Sequence, residues 1–333
     1  MEYAKLGRSN LTVSKICLGT MHFGGFTPEE EAHRILSKAL DMGINFVDTA
    51  NRYGGDSGLG AAEAIIGRWL KQDRTRRDRI VLATKVYGPM SDHLLPNEEA
   101  GLSAYKVRKH ATDSLRRLQT DHIDLYQVHH IDQRISLEEF WTTFDRLIHQ
   151  GDVLYMGTSN FPGWGLAKYQ MYAWQQGMVG FVSEQPQYNL LNRYPELEVI
   201  PAAREFGIGI IPYMPLAGGL LTVKKQAPVG SRTQQVESEY ELKLTNNEQI
   251  EAYSALCREI GEREYVVAIA WTLMNPTVAS AIVGARTQEH LADLDRAAAL
   301  RLEPAHLDKL NELFSINRGR PLRSGEAPHA FAW

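Results

Sequence analysis

The feature that most limits what this chain can become is an alternation running through nearly all of its 333 residues. A short apolar run rich in β-branched residues is followed by turn residues. A longer stretch with apolar positions at helical spacing comes next. The short runs are Lys15–Leu18, Asn45–Val47, Ile80–Ala83, Ile123–Val128, Val153–Met156, Phe181–Ser183, Gly209–Pro212 and Val278–Val283. The amphipathic stretches are Pro28–Met42, Ala61–Leu70, Ser103–Leu118, Leu137–Gln150, Gly165–Gln176, Leu197–Phe206, Asn247–Glu259 and Gln288–Ala299. Thr27 reads as a helix N-cap with Pro28 at the first helical position, and Gly151 as a helix C-terminal signal. Strands this short and this apolar suit a parallel sheet covered on both faces. Eight such units close into a (β/α)8 TIM barrel of the α/β class, which runs to 250 residues or more as one domain. A doubly wound open sheet is the alternative. Against it, no G-x-G-x-x-G follows the first run, and the glycine-rich Gly54–Gly60 has the wrong spacing.

Three pieces fall outside the repeat of the single barrel domain expected over 1–333. Residues 1–14 alternate and turn at Arg8-Ser9-Asn10, which predicts a β-hairpin plugging the barrel bottom. Residues 222–246 are polar and read as a long loop after the seventh strand. Residues 317–333 form a tail after a last helix, Pro304–Ile316. Charge excludes other classes: 36 basic against 40 acidic residues give −4, with no electrostatic footprint for nucleic acid. The longest predominantly apolar stretch, Val266–Met274, is about nine residues, where a membrane span needs roughly 20. The first residues lack the apolar core of a signal peptide, and Cys17 and Cys257 read as buried thiols of a reducing cytoplasm. No feature decides the oligomeric state, and a homo-oligomer is compatible with all of them.

The chemistry of a parallel barrel lies at the carboxyl ends of its strands. The second strand ends in Asp48, with Tyr53 just beyond; the third ends in Lys85; the fourth ends in His129-His130. These strands are neighbours, so an acid, a phenol, an amine and an imidazole converge. A lysine at the end of a buried strand must be paired, and Asp48 is the expected partner. A tyrosine beside an ammonium has its phenolate favoured, so its pKa is expected below the usual value of about 10. Such a tyrosine can give a proton to a developing alkoxide. Carbonyl reduction also needs a hydride, which no side chain supplies, so a nicotinamide cofactor is implied. No metal is expected: adjacent histidines on a strand point to opposite faces, and no His-Glu-x-x-His occurs.

These residues sit in strings that resemble the aldo-keto reductase superfamily. The strings are Gly43–Ala50 with Tyr53-Gly54, Ala83-Thr84-Lys85, Asp124–His129, Gly157–Phe161, Gln185–Asn189 and Pro215–Leu221, in order from Leu6 to about Leu302. Leu115–Asp124 and Gly325-Glu326-Ala327-Pro328 are most similar to bacterial branches that include ketoreductases of nucleotide-linked deoxysugars and general aldehyde reductases. The resemblance implies NADPH-dependent reduction of a small carbonyl compound. It makes Tyr53 the general acid, tuned by Lys85 and Asp48, with His129 orienting the carbonyl oxygen. It assigns Ser159, Asn160 and Gln185 to the nicotinamide carboxamide, and the ring of Tyr213 to the nicotinamide face. The segment running from Pro215 through Leu216 and Gly218 to Leu220 would supply backbone donors to the pyrophosphate. Gly19, Thr20 and Met21 fall under the cofactor ribose and the substrate. Gly284, Arg286 and Thr287, opening the eighth helix, match the segment at the adenosine phosphate, where a helix N-terminus plus an arginine suits a 2′-phosphate. Lys224 and Arg232 match clamp positions and read equally as solvated loop charge.

The chain departs from the family pattern at three places. His290 and Asp293, which the resemblance places at the cofactor, stand with Leu294 in place of a common Gln-x-x-Glu-Asn, Met214 stands where serine is common, and His130 where tryptophan or arginine is. Met21, Phe23, Tyr87 and His130 are expected to line the substrate pocket. Two other functions remain open at this stage. One is a cofactor-binding sensor or regulatory subunit with slow turnover, against which the complete Asp48/Tyr53/Lys85/His129 set argues. The other is a barrel hydrolase pairing Asp48 with Glu184, against which the lysine argues.

Overall fold

The computed structural model describes residues 1–91, 96–222 and 247–316. Strands β1 (Tyr3–Lys5) and β2 (Thr12–Ser14) pair antiparallel as the expected hairpin. The chain then alternates through β3 (Ile16–Gly19), α1 (Glu29–Asp41), β4 (Phe46–Asp48), α2 (Ala61–Gln72), β5 (Val81–Val86) and α3 (Ala104–Leu118). Next come β6 (Ile123–Val128), α4 (Leu137–Gln150), β7 (Val153–Ser159), α5 (Gly163–Gln175), β8 (Phe181–Gln185), α6 (Val199–Phe206) and β9 (Gly209–Ile210). The last elements are α7 (Asn247–Ile260), α8 (Glu264–Met274), β10 (Ala281–Gly284), α9 (Leu294–Ala299) and α10 (Pro304–Leu313). The parallel sheet of eight strands has the order β10-β3-β4-β5-β6-β7-β8-β9. Its edges meet where Ile210 bridges Val278 in parallel. The Ala279 N–H donates to Ile210 O at 2.8 Å, and the Ile282 N–H to Pro212 O at 2.9 Å. The fold is the (β/α)8 barrel.

Strand parity sorts the side chains. Ile16, Val47, Leu82 and Tyr126 face the helices, while Cys17, Phe46, Ala83 and Leu125 fill the barrel. The hairpin closes the bottom, with Leu6 and Val13 fully buried in that inner cluster. Continuing the same parity toward the carboxyl ends gives Asp48 after Phe46, Lys85 after Ala83 and Gln127 after Leu125. The inner face thus turns from apolar to polar one layer below the rim. A bulge in the β7–β8 register follows Met156, and Gly157 makes room at this layer. A Cβ there would stand 2.4 Å from Ser183 Oγ and 3.2 Å from Gln127 Cγ.

Four sequence readings are corrected. The stretch Gln288–Ala299 is not one helix: a 3-10 turn, Gln288–Leu291, is separated from α9 by Asp293 in the left-handed region at φ 59°. Asp293 is held there because its Oδ2 accepts from Tyr265 Oη at 2.6 Å and from Arg263 at 3.1 Å. Helix α8 was not anticipated; Val266–Thr272 are all buried, so the helix has no polar face to mark its period. Strand β9 is only two residues, Gly209–Ile210. The last helix ends at Leu313 rather than Ile316. The segments 223–246 and 317–333, with Lys224 and Arg232, lie outside the described residues. Both cysteines are buried free thiols.

Helix α2 crosses the end of α3 at Gly67, where a Cβ would lie 2.1 Å from Arg117 O and 2.8 Å from the Leu118 carbonyl carbon. Both atoms are backbone and cannot swing away. Gly67→Ala, which favours an isolated helix, is therefore expected to destabilise the barrel by about 1–3 kcal/mol. A lowered denaturation midpoint in urea checks this.

Candidate active site

The polar layer is built around Lys85. Its Nζ donates to Asp48 Oδ2 at 2.5 Å, to Thr49 O at 2.9 Å and to Tyr53 Oη at 3.3 Å, so all three protons are used. Lys85 and Asp48 are fully or almost fully buried. The other oxygen of Asp48 accepts from Gln127 Nε2 at 2.7 Å and Gln185 Nε2 at 3.0 Å. Gln185 Nε2 also donates to Gln127 Oε1 at 3.0 Å. Because a carboxylate only accepts, both amides must turn nitrogen toward Asp48, which sets their orientation. Tyr53 is half-buried at the rim, with Lys85 Nζ also 4.8 Å from its ring centroid and His129 edge-on at 6.0 Å.

The environment sets the protonation states. Burial pushes the Tyr53 phenol above its usual value, Lys85 pulls it back in part, and Asp48 pushes it up again. The expected depression does not occur, because burial outweighs the ammonium; Tyr53 therefore carries its proton through the neutral range. Burial opposes the charge on Lys85, but the Asp48 carboxylate overrides it and holds the ammonium above its usual value. Burial holds the His129 imidazole well below its usual value, with Lys85, His130 and Arg52 adding repulsion. Burial and Arg52 bring His130 down to about 4. Both imidazoles are neutral at pH 7. They lie beyond the end of β6, and their rings stack at 5.2 Å and 7°. The expectation that they point to opposite faces is overturned, because strand parity no longer applies there. Among the described residues there is no group of three or more His, Cys, Asp or Glu placed to hold a metal.

Around this centre stand the other residues singled out from sequence. Ser159 Oγ donates to Gln185 O at 2.8 Å. Asn160, in the left-handed region at φ 57°, donates to His129 O at 3.1 Å and to Ser159 Oγ at 3.0 Å. Its Oδ1 accepts from Tyr213 Oη at 3.0 Å, which ties the end of β7 to the segment after β9. Met214, Ala217, Gly218 and Gly219 all have positive φ, so Pro215, Leu216 and Leu220 lie in a tight, repeatedly reversed loop. Thr20 is buried, with Oγ1 donating to Asp48 O at 3.0 Å; Met21 beside it is exposed, and Gly19 pairs with Asp48 in register.

The Gly284-Ala285-Arg286-Thr287 segment does not open a long helix. The N–H groups of Arg286 and Thr287 both donate to His290 Nδ1, at 3.1 and 3.3 Å, and Gln288 N–H donates to Glu31 Oε1 at 3.0 Å. The backbone donors assigned to a phosphate are thus committed within the chain, and Asp293 is engaged by Arg263 and Tyr265. The Arg286 guanidinium is seated 4.4 Å above the Phe26 ring.

Of the residues expected in the substrate pocket, Tyr87 stands edge-on to His130 at 5.2 Å. Phe23 does not line the pocket: it is fully buried in the outer core, and Phe26, half exposed, takes the outward position. Inside a loop no parity distinguishes the two. Glu184 is also no surface acid. It is fully buried, Oε1 accepts from Phe161 N–H at 3.2 Å, and burial raises it to about 8. It is neutral at pH 7 and faces away from Asp48, which removes the paired carboxylates of a hydrolase. Gln127 escaped the sequence reading. The signal was present, since it shares parity with Leu125 one layer below the rim.

Comparison with known proteins agrees with this geometry. The sequence model described as the Aldo/keto reductase family matches residues 15–314. The chain is 48% identical, over the full length of both proteins, to the uncharacterized oxidoreductase YrpG of Bacillus subtilis (strain 168). It is 32% identical to the probable aryl-alcohol dehydrogenase AAD4 of Saccharomyces cerevisiae, over 89% of this chain and 92% of that one. A probable voltage-gated potassium channel subunit beta of Arabidopsis thaliana is 30% identical, over 96% of this chain and 99% of the relative. With the barrel, the converging strand ends and a family match across nearly the whole described chain, this protein belongs to the aldo/keto reductase family.

Proposed function

We propose that the protein reduces an aldehyde or ketone to the alcohol at the expense of NADPH, with Tyr53 as general acid. The observation that carries this reading is the Lys85 ammonium, buried between the Asp48 carboxylate and the Tyr53 hydroxyl at the carboxyl end of the barrel. When bound, the cofactor supplies the hydride. The donor set fits it: Ser159, Asn160 and Gln185 stand together at adjoining strand ends for a carboxamide. Backbone reversals at Met214 and 217–219 resemble the amide nests that take phosphate oxygens.

In the reaction, His129, neutral, orients the carbonyl oxygen by a hydrogen bond toward the Tyr53 hydroxyl. Tyr53 gives its proton to that oxygen as negative charge develops on it. The phenolate left behind is stabilised by Lys85 Nζ, 3.3 Å away. Asp48 keeps the ammonium charged, and Gln127 and Gln185 keep Asp48 solvated in the absence of water. The aromatic wall of Tyr87 and His130, with the aryl-alcohol dehydrogenase names among the relatives, supports aromatic aldehydes as substrates. The alternative of a slow regulatory subunit, prompted by the channel-subunit relatives, is disfavoured by the intact four-residue set.

Four measurements test this. In Tyr53→Phe, turnover should fall by about 10²–10⁴, the contribution of a positioned acid. NADPH affinity, read by fluorescence titration, should stay within about threefold, or ~0.7 kcal/mol. Near wild-type aldehyde reduction by this variant would refute the assignment. Because Tyr53 titrates above its usual value, alcohol oxidation, which needs the phenolate, should rise with pH from neutral upward, while reduction stays flat there. Arg286→Ala should lose most of an NADPH preference of roughly 10–150-fold, the range for a charge-assisted hydrogen bond of about 1.5–3 kcal/mol. Equal wild-type affinity for NADPH and NADH would sink that arm. Gln127→Met keeps shape but strips Asp48 of a buried donor, so it should cost about 1–3 kcal/mol in chemical denaturation.

A further inference from the structure

We infer that Arg52 forms an anion subsite at the mouth of the candidate active site, so that the best substrates carry an oxyanion, such as a carboxylate, beyond the carbonyl that is reduced. This inference rests on the reductase reading and extends it to substrate class.

Arg52 directly precedes Tyr53, on a backbone pinned at the preceding residue, Asn51. The Asn51 N–H donates to Lys85 O at 3.3 Å, and the Asn51 side-chain amide meets His110 Nδ1 at 3.1 Å. The side chain of Arg52 is exposed but folds over the protein surface. It lies along the backbone of Gly88: a Cβ at that glycine would stand 2.4 Å from Arg52 Cδ, 2.6 Å from Nη1 and 3.0 Å from Nε. Gly88 follows Tyr87, whose ring packs against His130, and His130 stacks on His129. The guanidinium thus lies against the loop after β5, on the same side as the ring of Tyr87 that packs on His130. Its field reaches both imidazoles.

Charge balance isolates this cation. Asp48 is committed to Lys85, Glu98 to Lys109 and His110, Asp132 to Arg134, and Glu63 to Arg117. Among the described residues Arg52 makes no ion pair or hydrogen bond, and it remains exposed. The neighbouring imidazoles are neutral, so they neither compete for an anion nor share its charge. A guanidinium presents a planar fork to a carboxylate or phosphate, and the close approach of Gly88 gives this one room to lie along the loop. The mouth therefore favours a molecule with an aldehyde at one end and negative charge at the other.

The test compares 4-carboxybenzaldehyde with its neutral methyl ester, and glyceraldehyde 3-phosphate with glyceraldehyde, as substrates in NADPH-consumption assays. The expected wild-type ratio of kcat/KM, charged over neutral, is about tenfold at low ionic strength and shrinks as salt rises. The pair with the larger ratio identifies carboxylate or phosphate as the preferred group. In Arg52→Ala the ratio should fall close to one, and Arg52→Lys should keep part of it. Gly88→Ala, which displaces the guanidinium without removing it, should also lower the ratio and serves if Arg52→Ala does not fold. Equal use of charged and neutral substrates by the wild type, or an unchanged ratio in Arg52→Ala and Gly88→Ala, overturns the subsite and leaves the reductase reading standing. Absence of reduction with all four compounds overturns both.

Discussion

Everything at the rim of this barrel follows from one requirement: a lysine ammonium has been placed where water cannot reach it. A buried charge stripped of its partner costs several kcal/mol, so Lys85 imposes its surroundings. Asp48 must sit on the adjoining strand to neutralise it, and the Thr49 carbonyl must turn inward. Asp48 then has an oxygen to satisfy, which brings in Gln127 and Gln185 from two further strands. The third proton of Lys85 is left for the one group that loses its own proton in the proposed reaction. Geometry that looks catalytic thus also satisfies every proton of the buried cation.

How much of this was legible in the sequence depends on whether a regular period was available to read. Strand runs and helical stretches gave the barrel, and strand ends brought Asp48, Lys85 and His129 to one place. Where the period failed, so did the reading. Helix α8 is apolar on every side and shows no stripe. Phe23 and Phe26 share a loop in which nothing says which ring turns inward. His129 and His130 stand just past the last residue of β6, so the alternation that would separate them has already ended. Asp293 interrupts a good helical pattern because Tyr265 and Arg263, on a helix distant in sequence, hold its carboxylate.

The direction of the Tyr53 shift was missed for a different reason. Pairing a phenol with an ammonium correctly identifies an attraction, but its opponent, the loss of hydration, depends on how deeply the ring is set, which residue types alone do not reveal. The outcome alters the division of labour in the proposed reaction: Lys85 would not ready an ionised tyrosine in advance but would steady the one that forms.

The barrel is also mechanically uneven. Around β5, β6 and β7 the ladders are long: β5 and β6 share four paired positions and β6 and β7 five. On the far side, β8 and β9 share two, and the cylinder is sealed by a single bridge from Ile210 to Val278 with a few flanking hydrogen bonds. The stiff half carries Lys85 and Gln127, where tenths of an ångström matter. The compliant half leads into Tyr213 and the reversed turns at 214–219. A tube with one lightly stitched seam flexes there first, so the loop side can yield as a large ligand comes and goes while the proton-handling side holds its shape.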